Sequence, residues 1–272
     1  MKEEHDRHTD PNAMSTRSLS ASDVATTGVD RRAASVSFRL ENQAAAASRK
    51  NDGDEDEQDT TPSAAAVSSS VITVHQNRDG EIAVDPTARW VWDSCPRLCE
   101  YLCTPQVATT IRGKSVIELG AGTGLPGLVC SRLGAKSVTL TDLPSELDLL
   151  RRNVDGNKRD GYDDAPVDVR ACAWGDLDAF SGERFNVVVV SDVLYHQPHE
   201  TMRALAETLK ALVAKDGVVY FAYHFRENLL HDAYFFELID EYFEEKRRTF
   251  SENSDADENI WLLEFIPRKT KV

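Results

Sequence analysis

Between residues 115 and 225, short apolar runs alternate with stretches whose apolar residues recur every three or four positions. The runs at 115–119, 137–141, 167–171 and 218–225 predict strands. FNVVVVSD at 185–192 is apolar almost throughout, as expected of a central strand buried on both faces. The intervening stretches 125–133, 145–157 and 199–214 predict helices. Gly134 ends the first, Ser145 caps the second, and Asp216-Gly217 closes the third. A further helix is predicted over 231–243, and IWLLEFI at 260–266 predicts a last strand. Ahead of the series, VITVHQ (71–76), NRDG (77–80) and EIAV (81–84) predict a hairpin, with Gly80 supplying the positive φ of the turn. A helix over 95–103 follows, capped by Asp93 or Ser94. Strands alternating with helices predict a parallel sheet covered on both faces, with ligands bound outside the carboxyl ends of its strands.

The first seventy residues break the pattern. Outside alanine they hold nine apolar side chains and no Trp, Tyr or Cys, and they carry the acidic run DGDEDEQD at 52–59. Such a stretch buries too little apolar surface to offset its ordering entropy, so residues 1–70 are read as a disordered tail and 71–272 as one domain. Net charge is −15 over the 272 residues, of which residues 71–272 contribute −10. That balance opposes attraction to nucleic acid or an anionic membrane and favours a protein partner. The start, MKEEHDRHTD, lacks the apolar core of a signal peptide. Cys95, Cys99 and Cys103 are four apart, which stacks them on one helix face as buried thiols and not as a metal site. With Cys130 and Cys172 they suggest a reducing compartment, cytosol or nucleus.

The chemistry concentrates in VIELGAGTGLPGLVCSRLGAKSVTLTDL, 116–143. A phosphate loop would need Lys after Gly127, where Leu128 stands. Gly122, Gly124 and Gly127 do form a GxGxxG, with Asp142 twenty residues after Gly122, as a dinucleotide site would have it. That motif starts late after the strand, however, and nothing downstream supplies a hydride-transfer centre. The spacing Glu118-x-Gly120-x-Gly122-x-Gly124 resembles the first motif of seven-stranded methyltransferases that use S-adenosylmethionine. Gly120 and Gly122 let the backbone approach a ligand. Glu118 can orient the loop or meet the cationic end of the methionine moiety. Asp142 can accept both ribose hydroxyls. Ala173-Trp174-Gly175-Asp176 follows the third strand, where such enzymes meet the adenine by stacking.

Beyond that motif, RWVWDSC (89–95), VIELGAGTGLPGL (116–128), VTLTDLPSELDLLRRNVDGN (138–157), CAWGDL (172–177), FNVVVVSDVLY (185–195), YFFELIDEYFEEKRR (234–248) and ENIWLLEFIPRK (258–269) follow one another in order. The span from about Arg89 to Lys271 resembles the methyltransferase-16 family of protein lysine methyltransferases. The resemblance implies a seven-stranded Rossmann-like sheet with helices on both faces. It also implies S-adenosylmethionine as methyl donor and a protein acceptor, a chaperone or an AAA-type ATPase, modified by a monomeric enzyme. Trp92 matches the family's cofactor-contacting Trp, and Ser191 stands where relatives often have Ala against the cofactor. Asp192-Val193-Leu194-Tyr195 matches its Asp-x-x-Tyr motif.

Only the neutral amine of lysine can attack a sulfonium methyl, and about one lysine in a thousand is neutral at physiological pH. Asp192 is therefore expected to attract the ammonium or position the amine. Tyr195 is expected to pack along the lysine stem or bond its nitrogen. Alignment and desolvation would supply the catalysis. In Tyr223-His224-Phe225-Arg226, His224 departs from the family's acidic residue, which leaves the substrate open. His196, His199 and His231 have no metal-like spacing and are read as structural or surface residues. The rivals are a methyltransferase acting on a small molecule or on nucleic acid, and a non-catalytic interaction protein with the same fold. A base methyltransferase would place two prolines where Val193-Leu194 stand.

Overall fold

The computed structural model describes residues 16–19, 33–40, 71–76, 86–226, 229–250 and 259–269. A first sheet of three strands, β1 (Thr16–Leu19), β2 (Ser35–Arg39) and β3 (Val71–His75), is followed by α1 (Ser94–Leu102) and α2 (Pro105–Ile111). Then come β4 (Ser115–Leu119), α3 (Leu125–Arg132), β5 (Ser137–Asp142), α4 (Leu147–Gly156), β6 (Val167–Ala171) and β7 (Phe185–Ser191). The chain continues through α5 (His199–Leu212), β8 (Val213–His224), α6 (Leu229–Asp240), β9 (Phe243–Phe250) and β10 (Ile260–Pro267).

The main sheet has seven strands in the order β6-β5-β4-β7-β8-β10-β9, the fold expected from the sequence. It is parallel except for β10, which runs antiparallel to both neighbours. Alternate residues of its central strands feed two cores. Val116, Val187 and Val189 pack toward α1 and α3, whereas Ile117, Val188 and Val190 pack toward α5 and α6. Because β4 pairs with β5 on one side and β7 on the other, the strand order reverses there, and the glycine loop leaves β4 at that switch point. No helix among the described residues is long and apolar enough to cross a membrane.

Several expectations are corrected. Residues 35–39 lie in the stretch read as a disordered tail, yet they form β2, antiparallel to β3. Val36 and Phe38 join Ile72 and Val74 in the core, a period-2 pattern that suffices once a partner strand is at hand. The rest of 1–70, apart from β1 and residues 33, 34 and 40, lies outside the described residues, as does the expected hairpin partner 81–84. The outer edge of β3 is closed by one side chain of α4 and that of the residue capping its end. Asn157 exchanges hydrogen bonds with the backbone of Thr73, and Asn153 with that of His75.

Ser145 does not cap α4; it sits in a 3-10 turn, Pro144–Glu146, and its hydroxyl donates to Glu146. Asp216-Gly217 does not close a helix either. The pair falls within β8, where the register slips between Phe185–Val213 and Val187–Val218. The last helix stops at Asp240, and 243–250 become an additional edge strand. Cys95 and Cys99 are buried on the inner face of α1, and Cys103 is half-buried.

Candidate active site

A cavity of about 540 Å³ opens at the carboxyl ends of β4, β5 and β7. Its floor is the glycine loop, whose backbone turns left-handed at Gly120 (φ +65°) and Gly122 (φ +53°). A Cβ on Gly120 would stand 3.0 Å from Val193 Cγ1 and 3.3 Å from Trp174 Cζ2. One on Gly122 would stand 2.9 Å from the carbonyl oxygen of Ala88. Both left-handed turns strain any side chain, and at Gly122 the Ala88 backbone also leaves no room for one. Thr87 and Ala88, from the segment before α1, also line the cavity.

Two carboxylates organise the loop. Asp142, at the end of β5, accepts the Gly122 N–H through Oδ2 at 2.7 Å and the Leu143 N–H through Oδ1 at 2.8 Å. A carboxylate oxygen can accept more than one donor, a capacity suited to a vicinal diol. Glu118 is buried at the end of β4, and its Oε2 accepts the Gly127 N–H at 2.8 Å in the first turn of α3. Burial, reinforced by the Asp142 charge and opposed by the Gly127 bond, pushes its pKa up to about 8. The loop is also tied to the first sheet, because buried Asn153 donates to the Thr123 carbonyl at 3.0 Å while holding His75. Gln76 accepts the Val91 N–H at 2.8 Å and donates to the Ala33 carbonyl at 2.9 Å, joining β2 to the approach of Trp92.

The far wall comes from the segment after β7. Asp192 holds a left-handed backbone at φ +54°, uncommon outside glycine, and its N–H donates to Ala222. Its side chain is 1% exposed and forms a bidentate pair with Arg226, Nη1–Oδ1 at 2.8 Å and Nη2–Oδ2 at 2.6 Å. The guanidinium carbon lies 4.8 Å from the ring centroid of Tyr195 and 5.3 Å from that of Trp92. The two rings are 5.6 Å apart, and Trp92 Nε1 donates to the Thr87 carbonyl at 2.8 Å.

A family model described as lysine methyltransferase matches residues 70–242. The chain belongs to the lysine methyltransferase family. This methyltransferase is 34% identical over 173 residues to EEF1A lysine methyltransferase 3 of Mus musculus, covering 63% of this chain and 69% of the relative. It is 41% identical over 130 residues to protein N-lysine methyltransferase METTL21A of Danio rerio, covering 47% and 57%. The match to METTL21A thus spans little more than half of that relative. Among solved structures, the N-methyltransferase NodS of Bradyrhizobium japonicum in complex with S-adenosylhomocysteine aligns with TM-score 0.50 and 16% identity over 69% of this chain and 94% of that one. The PH0226 protein of Pyrococcus horikoshii aligns with TM-score 0.50 and 14% identity over 64% and 87%. Those two likenesses speak to the fold alone. The family carries the enzyme class, S-adenosylmethionine-dependent protein-lysine methyltransferase, and the methyl donor.

Nine of the residues singled out in the sequence line this methyltransferase's cavity: Trp92, Glu118, Gly120, Gly122, Asp142, Trp174, Ser191, Asp192 and Tyr195. Gly124 does not. It caps α3 at φ +80°, and a Cβ there would strike Leu150 Cδ1 at 2.6 Å, so its glycine serves helix packing. Asp192, expected to attract the ammonium or position the amine, has both its oxygens engaged by Arg226. Of the histidines, His231 bonds the Gln197 carbonyl and stacks on His199. The His196 ring lies 4.2 Å from that of Tyr195. Three contributors were missed. Arg226 stands in a quoted motif but had no partner assigned. Asn153 has the signal of a second amide four residues on, at Asn157, on one helix face. Ala88 has no sequence signal.

Proposed function

We propose that this methyltransferase transfers a methyl group from S-adenosylmethionine to the side-chain amine of a lysine in a folded protein, acting as a monomer in the cytosol or nucleus. The observation that supports this most is that the Asp142 carboxylate, the glycine loop and the Asp192–Tyr195 segment line one cavity. In this reading Asp142 accepts the ribose hydroxyls, and Trp174 packs against the adenine. Glu118 meets the methionine amine, and Ser191 and Trp92 bound the donor end. The donor supplies an activated methyl: the lysine nitrogen forms the new N–C bond as the C–S bond breaks, the electron pair stays on sulfur, and the amine proton leaves to water.

The chain's own contribution is to hold and dry the acceptor. Tyr195, 38% exposed at the cavity mouth, offers a ring to the apolar lysine stem. Removing water there disfavours the ammonium form. As acceptor we propose a chaperone or an AAA-type ATPase, on the sequence resemblance; the relative named for EEF1A makes that protein the second acceptor to test. The test is tritiated methyl donor with cell extract, fractionated into protein, RNA and small molecules. Label recovered as methyl-lysine in the protein fraction supports the reading, whereas label in RNA or metabolites rejects the acceptor class.

A further inference from the structure

The described residues lining the cavity include three carboxylates, Asp142, Asp192 and Glu200, beside the raised carboxyl of Glu118, and no basic side chain. An aqueous lysine arrives almost entirely as its ammonium, which such a lining attracts and stabilises. The stabilised ammonium has no lone pair, so a simple acidic pocket would bind its acceptor in the unreactive form. The mouth adds two further attractions for a cation, the tilted rings of Trp92 and Tyr195. Together with Asp192 they form a cation seat, and the chain's own Arg226 occupies it. Its two terminal nitrogens engage both oxygens of Asp192, and its guanidinium faces both rings.

We infer that Arg226 is a positioning residue that closes this seat to protonated lysine, so that only the neutral amine settles beside the donor methyl. A guanidinium stays charged at every pH the enzyme meets, so the closure does not itself titrate. Other groups at the seat are accounted for. Tyr223, at the end of β8, is held by its hydroxyl on Asp232 of α6 at 2.7 Å. The Arg226 guanidinium also donates to the His224 carbonyl. His196, beside Tyr195, is the neighbouring imidazole.

The inference rests on lysine being the acceptor, and the experiment separates the two. The first measurement needs neither donor nor turnover: n-butylammonium is titrated against the ligand-free protein, with tryptophan fluorescence as readout. Wild type is expected to show no saturable change. Arg226→Gln, whose seat is open, is expected to bind the probe, and the double variant Asp192→Asn with Arg226→Gln to lose it again.

The second measurement is the pH dependence of kcat with a lysine acceptor. In Arg226→Gln the acid limb is expected to move up by about one pH unit, because the seated ammonium is harder to deprotonate. kcat near pH 7 should fall roughly tenfold while KM falls or holds. Arg226→Lys should lie between, and His196→Asn should leave the limb in place. Probe binding by wild type, or an Arg226→Gln enzyme with an unmoved limb and a raised KM, overturns the inference while leaving lysine methylation standing. A wild-type enzyme that labels no lysine overturns both.

Discussion

Binding of S-adenosylhomocysteine is predicted to expel a proton, and Glu118 is its source. In the ligand-free protein burial raises this carboxyl to about 8, with Asp142 adding to the rise and the Gly127 N–H opposing it. At pH 7 about nine in ten molecules therefore carry the proton. A ligand ammonium set against the carboxylate favours its charged form and draws the pKa back toward the ordinary range near 4.5. Binding at pH 7 then releases about 0.9 proton, and affinity rises as pH is raised toward 8. Calorimetry in two buffers of different ionisation enthalpy reads the released proton directly. Glu118→Gln keeps an oxygen for Gly127 but carries no titrating proton, so its heat should be the same in both buffers.

The linked stability has a definite sign. A carboxyl whose folded pKa is raised stabilises the fold fully below about 4.5 and loses that contribution as pH rises through about 8. The ligand-free wild type should thus be less stable to denaturant at pH 8 than at pH 5, by an amount on the order of a few kcal/mol, and the Gln variant should flatten the slope. Equal wild-type heats in the two buffers would refute the reasoning and leave Glu118 as a brace for α3 alone.

Two further outcomes follow from the loop geometry. Asp142→Ala removes the acceptor of the Gly122 and Leu143 N–H groups and, in the function proposed above, of two ribose hydroxyls. At about 1.5–3 kcal/mol per charge-assisted bond to the ligand, S-adenosylhomocysteine should bind roughly a hundred- to ten-thousandfold more weakly by calorimetry, and a threefold change would count against the assignment. Asn153→Ala leaves the His75 backbone and the Thr123 carbonyl without their buried partner. It should cost about 2–4 kcal/mol in denaturant melts and weaken ligand binding severalfold; unchanged ligand affinity would mean that the first sheet does not brace the loop.

The parallel core was legible because β4, β5 and β7 are buried on both faces and its loops carry glycine where the backbone turns left-handed, as at Gly120 and Gly122. What escaped was structure whose signal lies far along the chain. FEEKRRTF reads as charged surface, yet it is an edge strand, where charge discourages pairing with other chains while Phe243 alone anchors it in the core. SVSFR carries only Val36 and Phe38, too little apolar surface to predict a strand until β3 supplies a partner. At the site, residue type and spacing brought out Glu118, Asp142 and Asp192, the carboxyl groups that line the cavity. They could not reveal that Asp192 is paired, because Arg226 reaches it from another strand end 34 positions away. Nor could they tell Gly124, which serves packing, from Gly122, which faces the cavity.

The most direct measurement supplies the purified protein and extract with a donor whose methyl carries deuterium, then maps the label by peptide mass spectrometry. The account predicts the heavy methyl on lysine side chains of one or a few proteins with wild type, and none with Asp142→Ala. Heavy methyl on other residue types, or equal labelling by the Asp142 variant, would contradict it.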